Sequence, residues 1–289
     1  MKKFLLLVTT LFVVFALAAC GGGNAKEDAT QKNQEGTSEQ TETTEPVKLV
    51  VGASSTPHAE ILEEAEPLLA KKGIELKIVP FQDYILPNKA LNDKEIDANY
   101  FQHIPYLEAQ KEKFSYDFVN AGGVHIEPIG IYSKKYKSLE ELPEGAKIIM
   151  SNSIPDHGRI LSMLEEKGLI KLKEGVEKTT ATLDDIVENP KKLAFVADVD
   201  PGLLPQVYNN GEGDAALINS NYAIDAGLDP AKDPIAVESS ENNPYINVIA
   251  VRSGDENREE IKTLIEVLQS KEITDFINEK YQGAVIPAK

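Results

Sequence analysis

The chain has 289 residues, with 30 basic and 47 acidic side chains, a formal net charge of −17 and a single cysteine. An acidic surface of this kind repels phosphate backbones and anionic headgroups, which excludes nucleic acid as a partner. The one cysteine belongs to the N-terminal leader, so no thiol remains for a disulfide or a thiolate metal site, and the fold stands on packing alone.

Lys2 and Lys3 precede an almost unbroken apolar run from Phe4 to Ala16, and small residues lead to Cys20. This is the layout of a secretory signal peptide over residues 1–19. The run falls short of the roughly 20 residues that a membrane-spanning helix takes. Gly21-Gly22-Gly23 also follows where a stop-transfer segment would carry basic residues. Leu17-Ala18-Ala19-Cys20 resembles a bacterial lipobox, in which the thiol is acylated and becomes the first residue of the mature chain. Lipidation at Cys20 would tie the protein to the membrane on the extracytoplasmic face, and two acyl chains suffice for stable anchoring. The following stretch to residue 46 is rich in Thr, Gln, Glu and Asn. It cannot bury enough apolar surface to offset its ordering entropy, so residues 20–46 are expected to form a disordered tether.

Globular sequence begins near Val47. Lys48–Gly52 reads as a short apolar strand, and Thr56 followed by Pro57 as a capped helix start. Ile61, Leu62, Ala65, Leu68 and Leu69 recur at helical spacing, and Gly73 closes the helix. Ile74–Val79 alternates apolar and polar residues as a second strand. Such a βαβ unit implies a parallel sheet with a right-handed crossover. Similar units recur: a strand at Lys147–Met150 precedes a helix from about Pro155 to Lys167, stopped by Gly168. Leu193–Val196 and Ala215–Ile218 read as further strands, Thr182–Val187 as a capped helix, and the C-terminus from about Glu256 to Tyr281 as helical. Two extended stretches, Ile126–Ser133 and Asn243–Val251, each carry a proline near the start and bracket a middle section. The expectation is an α/β fold of two lobes, 47–128 plus 243–289 and 129–242. Two crossover segments join them, with a ligand cleft between.

Enzyme signatures are absent: there is no Gly-x-Ser-x-Gly elbow, phosphate-binding glycine loop or His-Glu-x-x-His. His58, His103, His125 and His157 are scattered, with no short ligand spacing. A zinc or manganese receptor would have to gather three of them with an acid such as Glu127 or Asp156. The densest aromatic and amide cluster runs from Asp97 to Leu107. Tyr100, Phe101 and Tyr106 suit a packed core, whereas Asn99, Gln102 and His103 need partners that a bound ligand could supply. Tyr84 adds a ring, and the combination suits an apolar side chain with a polar head, a thioether included. Ser151–Arg159 follows a strand and opens a helix, a place that favours a carboxylate. Arg159 there is either a carboxylate clamp or the structural partner of an acid such as Glu60 or Asp156. Asn219 and Asn221 lie where another strand ends, and by pattern Asn219 reads as a helix cap.

Several ordered segments together resemble the methionine-binding lipoproteins of the NlpA type, the substrate-binding components of ABC importers. They are Thr56–Leu62, Asp83-Tyr84, Pro87-Asn88-x-Ala90-Leu91, Asp97–His103 with Pro105–Leu107, Pro128–Gly130 with Tyr132-Ser133, Val187–Lys191, and Ile218-Asn219-x-Asn221–Ala223. The resemblance covers nearly all of Val47–Lys289. It implies a periplasmic-binding-protein fold that closes on one amino acid, without catalysis or cofactor, in an expected monomer. It implies that Tyr84, Tyr100, Phe101 and His103 line the side-chain slot, and that Arg159 holds the carboxylate. Asn219, Asn221 and Asn152 would bond the head group. The partners it implies are a membrane permease and its ATPase. Many relatives carry Asn-Asp-Pro-Thr-Asn where this chain reads Asn152-Ser153-Ile154-Pro155-Asp156. The acid in place of the second amide leaves D-methionine, a methionine-containing dipeptide or another apolar amino acid open beside L-methionine. A metal-capture lipoprotein and a surface adhesin or signalling protein are the readings from other classes.

Overall fold

Strand β1 (Val47–Ser54) and strand β2 (Ile74–Phe81) pair in parallel on either side of helix α1 (Glu60–Lys71), in register from Val47 opposite Ile74 to Ser54 opposite Phe81. Ile61, Leu62, Ala65 and Leu69 on one face of α1 are buried with Leu49, Val51 and Ala53 of β1, which is the burial that selects helix and strand periods here. Gly73 ends this unit with φ +80°, a left-handed turn that glycine adopts without steric penalty. Thr56 is extended, as a cap would be, but α1 proper begins three residues after Pro57 and carries no side-chain cap.

The structure is a computed structural model describing residues 45–288; the signal segment, Cys20 and the tether through residue 44 lie outside the described residues. After β2 come α2 (Leu86–Asn92), β3 (Ala98–His103), α3 (Ile104–Phe114) and β4 (Phe118–Ile126). The chain then crosses to β5 (Gly130–Tyr132), β6 (Lys147–Ser151), α4 (Ile154–Glu166), β7 (Lys171–Leu172), β8 (Ile186–Glu188) and β9 (Ala194–Val199). It continues through α5 (Leu204–Asn209), β10 (Ala215–Ile218), α6 (Ser220–Asp225) and β11 (Ala236–Val237). It returns for β12 (Ile246–Arg252), α7 (Glu259–Leu268), α8 (Lys271–Tyr281) and β13 (Ile286–Pro287).

Two mixed sheets result, ordered β13-β4-β12-β3-β1-β2 and β11-β5-β10-β6-β9, with β7 and β8 forming a separate antiparallel pair. Both faces of each sheet are covered. In the first, Leu49, Val51 and Ile249 pack toward α1, α7 and α8, while Val248 and Ala250 pack with Leu91 of α2 and Leu107 of α3. In the second, Ile148 and Met150 meet Ile160, Leu161 and Leu164 of α4, while Ile149 meets Leu204 of α5 and Ala223 of α6. Each sheet with its helices is a lobe. The crossovers between them are the short links 127–129 and 238–245. Among the described residues no helix is long and apolar enough to cross a membrane.

Two expected elements are corrected. Thr182 does form a capping box with Asp185, but the turn lasts only Leu183–Asp185. The β-branched Ile186 and Val187 then extend and pair with β7. The expected C-terminal helix is two, because Ser270 breaks the run and its hydroxyl caps α8 by accepting from the Ile273 amide.

Candidate functional site

The ends of the strands converge. His58 follows β1, Tyr84 follows β2, and Phe101–His103 close β3; Ser153 and Asp156 follow β6, and Asn219–Asn221 follow β10. All sit at or just beyond the carboxyl ends of strands, where an open α/β sheet leaves a crevice. Together with Gln102, Tyr106, Glu127, Arg159, Ser220 and Asn247 they line one narrow cavity of about 30 Å³. Both lobes contribute, and they touch directly: the Tyr84 hydroxyl donates to Asn221 Oδ1 at 2.6 Å, and the Tyr222 hydroxyl to the Gln82 carbonyl at 3.4 Å.

One end of the cavity is aromatic. The rings of Tyr84, Phe101 and Tyr106 lie 5.9–6.2 Å apart, centroid to centroid, and the Tyr106 hydroxyl ties the group to the Tyr84 carbonyl at 2.8 Å. Burial first, then the neighbouring Tyr222, raises the Tyr84 phenol well above its ordinary pKa, so it stays a donor. His103 caps α3: its Nδ1 accepts from the Tyr106 amide at 3.2 Å. That contact puts the proton of the neutral ring on Nε2, 3.7 Å from Asp156 Oδ1.

The other end is polar. Asp156, in the first turn of α4, accepts from the Ser151 hydroxyl at 2.9 Å and from Asn219 Nδ2 at 3.3 Å. Burial opposes its charge, but the His103 contact and Arg159 outweigh it and hold the carboxyl below its usual range. Arg159 is buried against the face of Tyr245, 4.6 Å from the ring centroid. It donates from Nε to Glu238 Oε1 at 3.2 Å, from Nη2 to Glu238 Oε2, and from Nη2 to the Glu127 carbonyl at 2.8 Å. Its partner acid is thus Glu238, neither Glu60 nor Asp156. Glu127 and Glu238 stand on the two crossovers, so one guanidinium joins both.

Glu127 is the hub of a buried cluster. Its Oε1 accepts from His125 Nε2 at 2.7 Å and lies 3.2 Å from His58 Nε2, while Oε2 accepts from the Asn221 amide at 3.1 Å. His58 Nε2 also faces Asn247 Oδ1 at 3.0 Å, and the Tyr100 hydroxyl donates to His125 Nδ1. Burial lowers His58 to a pKa of about 4 and His125 to about 3, and raises Glu127. Among the described residues, His58, His125 and Glu127 are the ones whose ligand atoms lie within 4.8 Å of one another, the arrangement a metal would need. Those atoms already bond one another, and both nitrogens of His125 are engaged. His157 is elsewhere, with Nε2 on the Ser151 carbonyl at 2.8 Å.

Of the residues expected at the site, Tyr84, Phe101, His103, Arg159, Asn219 and Asn221 line the cavity, and Tyr100 and Asn152 do not. Tyr100 is in the first lobe's core, edge-on to His58 and supporting His125 from behind. Asn152 is exposed and borders a neighbouring surface cleft. Asn99 and Gln102 need no ligand partner: with Asn88 they form a closed amide triad at 2.8–2.9 Å. Asn219 does precede α6, but without capping it; its amide points at Asp156. Glu238 and Asn247 carried no sequence signal, being placed only by the return crossover and β12. His58, Tyr106, Glu127 and Asp156 were visible as polar or aromatic residues within motifs.

The NlpA lipoprotein family model matches residues 49–289. The chain is 54% identical over 290 residues to the methionine-binding lipoprotein MetQ of Bacillus subtilis, covering 99% of each chain. It is 39% identical over 241 residues to the D-methionine-binding lipoprotein MetQ of Escherichia coli, covering 83% of this chain and 86% of the relative. A solved nutrient binding protein from Burkholderia cenocepacia, bound to methionine, shares 41% identity at a TM-score of 0.78, over 83% of this chain and 100% of that one. With a two-lobed α/β fold and a family match that runs through both lobes, the chain belongs to the NlpA lipoprotein family.

Proposed function

We propose that the protein is a lipid-anchored, extracytoplasmic receptor that captures methionine between its lobes and delivers it to an ABC importer. The observation that carries this reading is the two-ended cavity, with three rings at one end and Arg159, Asp156 and Asn219 at the other. A thioether beside aromatic rings gains about 0.3–1.5 kcal/mol from sulfur contacts. In this reading Tyr84, Phe101, Tyr106 and His103 hold the side chain, Arg159 meets the carboxylate, and Asp156, Asn219 and Asn221 meet the head group. The names of the relatives support methionine, and the family's lipoprotein character supports acylation at Cys20.

The lobes are 47–128 plus 243–289 and 129–242. Because both line the cavity, a ligand that contacts both favours the conformation in which they meet, which is how binding becomes a signal to a permease. No covalent chemistry is involved.

Isothermal titration of protein stripped of co-purified ligand tests the reading, with L-methionine, D-methionine, a methionine dipeptide and other amino acids as titrants. Heat with methionine is expected, and no heat with any titrant sinks the proposal. Cys20→Ala protein should bind with unchanged affinity while moving from the membrane to the soluble fraction.

A further inference from the structure

The cavity wall is unbalanced in charge and in hydrogen-bonding capacity, and the imbalance decides which end of a ligand is selected. Resting on the methionine reading, we infer that the ammonium, and not the carboxylate, is the group this cavity requires. The accepted class is then a primary amine on a thioether-sized apolar side chain, carboxyl-capped forms included.

Three acids, Glu127, Asp156 and Glu238, stand around one guanidinium. Arg159 is, among the described residues, the one permanently cationic side chain lining the cavity, and its Nε and Nη2 edge is already paired with Glu238. Among the described residues only its Nη1 has no protein acceptor. Glu127 and Asp156, among the described residues, receive hydrogen bonds from neutral groups alone: imidazoles, the Asn221 amide, the Ser151 hydroxyl and the Asn219 carboxamide. Those bonds orient the two carboxyl groups and bring no formal positive charge to them.

Asn219 points the same way. Its Nδ2 bonds the Asp156 carboxylate, which can only accept, so the amide orientation is fixed. Among the described residues its Oδ1 is then a buried acceptor without a donor, in a residue only 7% exposed. Orphaned buried acceptors are rare and call for a donor. An ammonium carries three donors and one positive charge, which answers both deficits. A ligand carboxylate answers only Arg159 Nη1, and a carboxamide oxygen can accept from that nitrogen as well.

Calorimetry with three methionine analogues tests this. L-Methioninamide, which keeps the ammonium and loses the carboxylate charge, should bind within about tenfold of L-methionine. The α-hydroxy acid of the same skeleton, which keeps the carboxylate and loses the ammonium, should bind about a hundredfold more weakly or not at all. Asp156→Asn should weaken the cationic amide more than the zwitterion, shifting the ratio of the two affinities by about tenfold. The hydroxy acid binding as well as methionine overturns the inference, as does methioninamide failing where methionine binds, or an unchanged ratio in Asp156→Asn. If methionine itself gives no heat, the methionine reading falls and takes the inference with it.

Discussion

Gly158→Ala should destabilise the protein although it places alanine in the middle of a helix. In an ordinary helix this change stabilises by about 0.5–1 kcal/mol, because glycine loses more backbone freedom on folding. Gly158 lies inside α4, one residue before Arg159. A methyl group built there would sit 2.4 Å from the Lys178 carbonyl oxygen and 2.6 Å from the carbonyl carbon and oxygen of Thr179. These are backbone atoms of a tight turn, so no rotamer change relieves them. Either α4 or the turn must move. Overpacking of this kind costs about 1–3 kcal/mol, and contact this close with fixed atoms belongs at the upper end.

Set against the propensity gain, the net loss is about 1–2 kcal/mol, which for a domain of this size lowers Tm by roughly 2–8 °C. The same displacement shifts Asp156 and Arg159, so ligand affinity should fall with it. Thermal unfolding without ligand, followed by circular dichroism, and calorimetric titration of the same sample measure the two effects. Gly202→Ala is the control: its methyl would lie 3.2 Å from the Asp200 carboxylate and no nearer than 3.5 Å to Tyr222, contacts a side chain can yield. A Gly158→Ala protein as stable as its parent would refute the steric argument outright.

Asn88→Ala should cost about 2–4 kcal/mol in urea unfolding at an unchanged m value, since it strips partners from both Asn99 and Gln102 in a fully buried triad; a change below about 0.5 kcal/mol would remove the triad from the account. Stability should also fall on acidification from pH 6.5 toward 4. The unfolded chain takes up protons at His58 and His125 near 6.5. Burial keeps both rings neutral in the folded chain down to about 4 and about 3. Glu127, raised by burial, takes up its proton at higher pH in the folded state than in the unfolded chain and offsets part of this loss. The two imidazoles alone would set a slope of about 2.7 kcal/mol per pH unit, Glu127 makes it shallower, and a flat Tm across that window would contradict the reasoning.

The sequence is most legible where burial is periodic. In β1, α1 and β2 the alternation of apolar residues and the stop at Gly73 lead directly to the observed unit, and β6 with α4 repeats the case. It is least legible along β3. A regular strand would put Asn99, Phe101 and His103 on one face and Tyr100 with Gln102 on the other. The pairing with β12 shifts register between Val248 and Ile249, so that Gln102 stands opposite Val248 and Tyr100 opposite Ile249, with Phe101 between them unpaired. This bulge carries Gln102 round to Asn99, where the two side chains bond at 2.9 Å. Residue types alone could not show that the amides satisfy one another while Tyr100 turns to the core. Asn152 differs for another reason: the family resemblance implied a head-group contact, but the residue is exposed at the strand end and does not line the cavity.

Glu238 was invisible in sequence for a physical reason as well, since it meets Arg159 only once the second crossover returns beside the first. An isolated guanidinium in a cavity this small would be expensive to bury, and a paired one is tolerable only when its remaining donors are satisfied. Glu238 takes one edge, the Glu127 carbonyl takes a further Nη2 proton, and the Tyr245 ring covers the face. Between them they hold the side chain in one pose and, among the described residues, leave Nη1 without an acceptor. What the pair gives the site is therefore preorganisation rather than excess positive charge. Arg159→Ala alone would leave the Glu238 carboxylate without its cation, at a cost of about 3–5 kcal/mol. Lost affinity in that variant would mix a lost contact with a loosened crossover. Removing both partners together separates them, because the double variant loses the contact without leaving a buried charge unpaired.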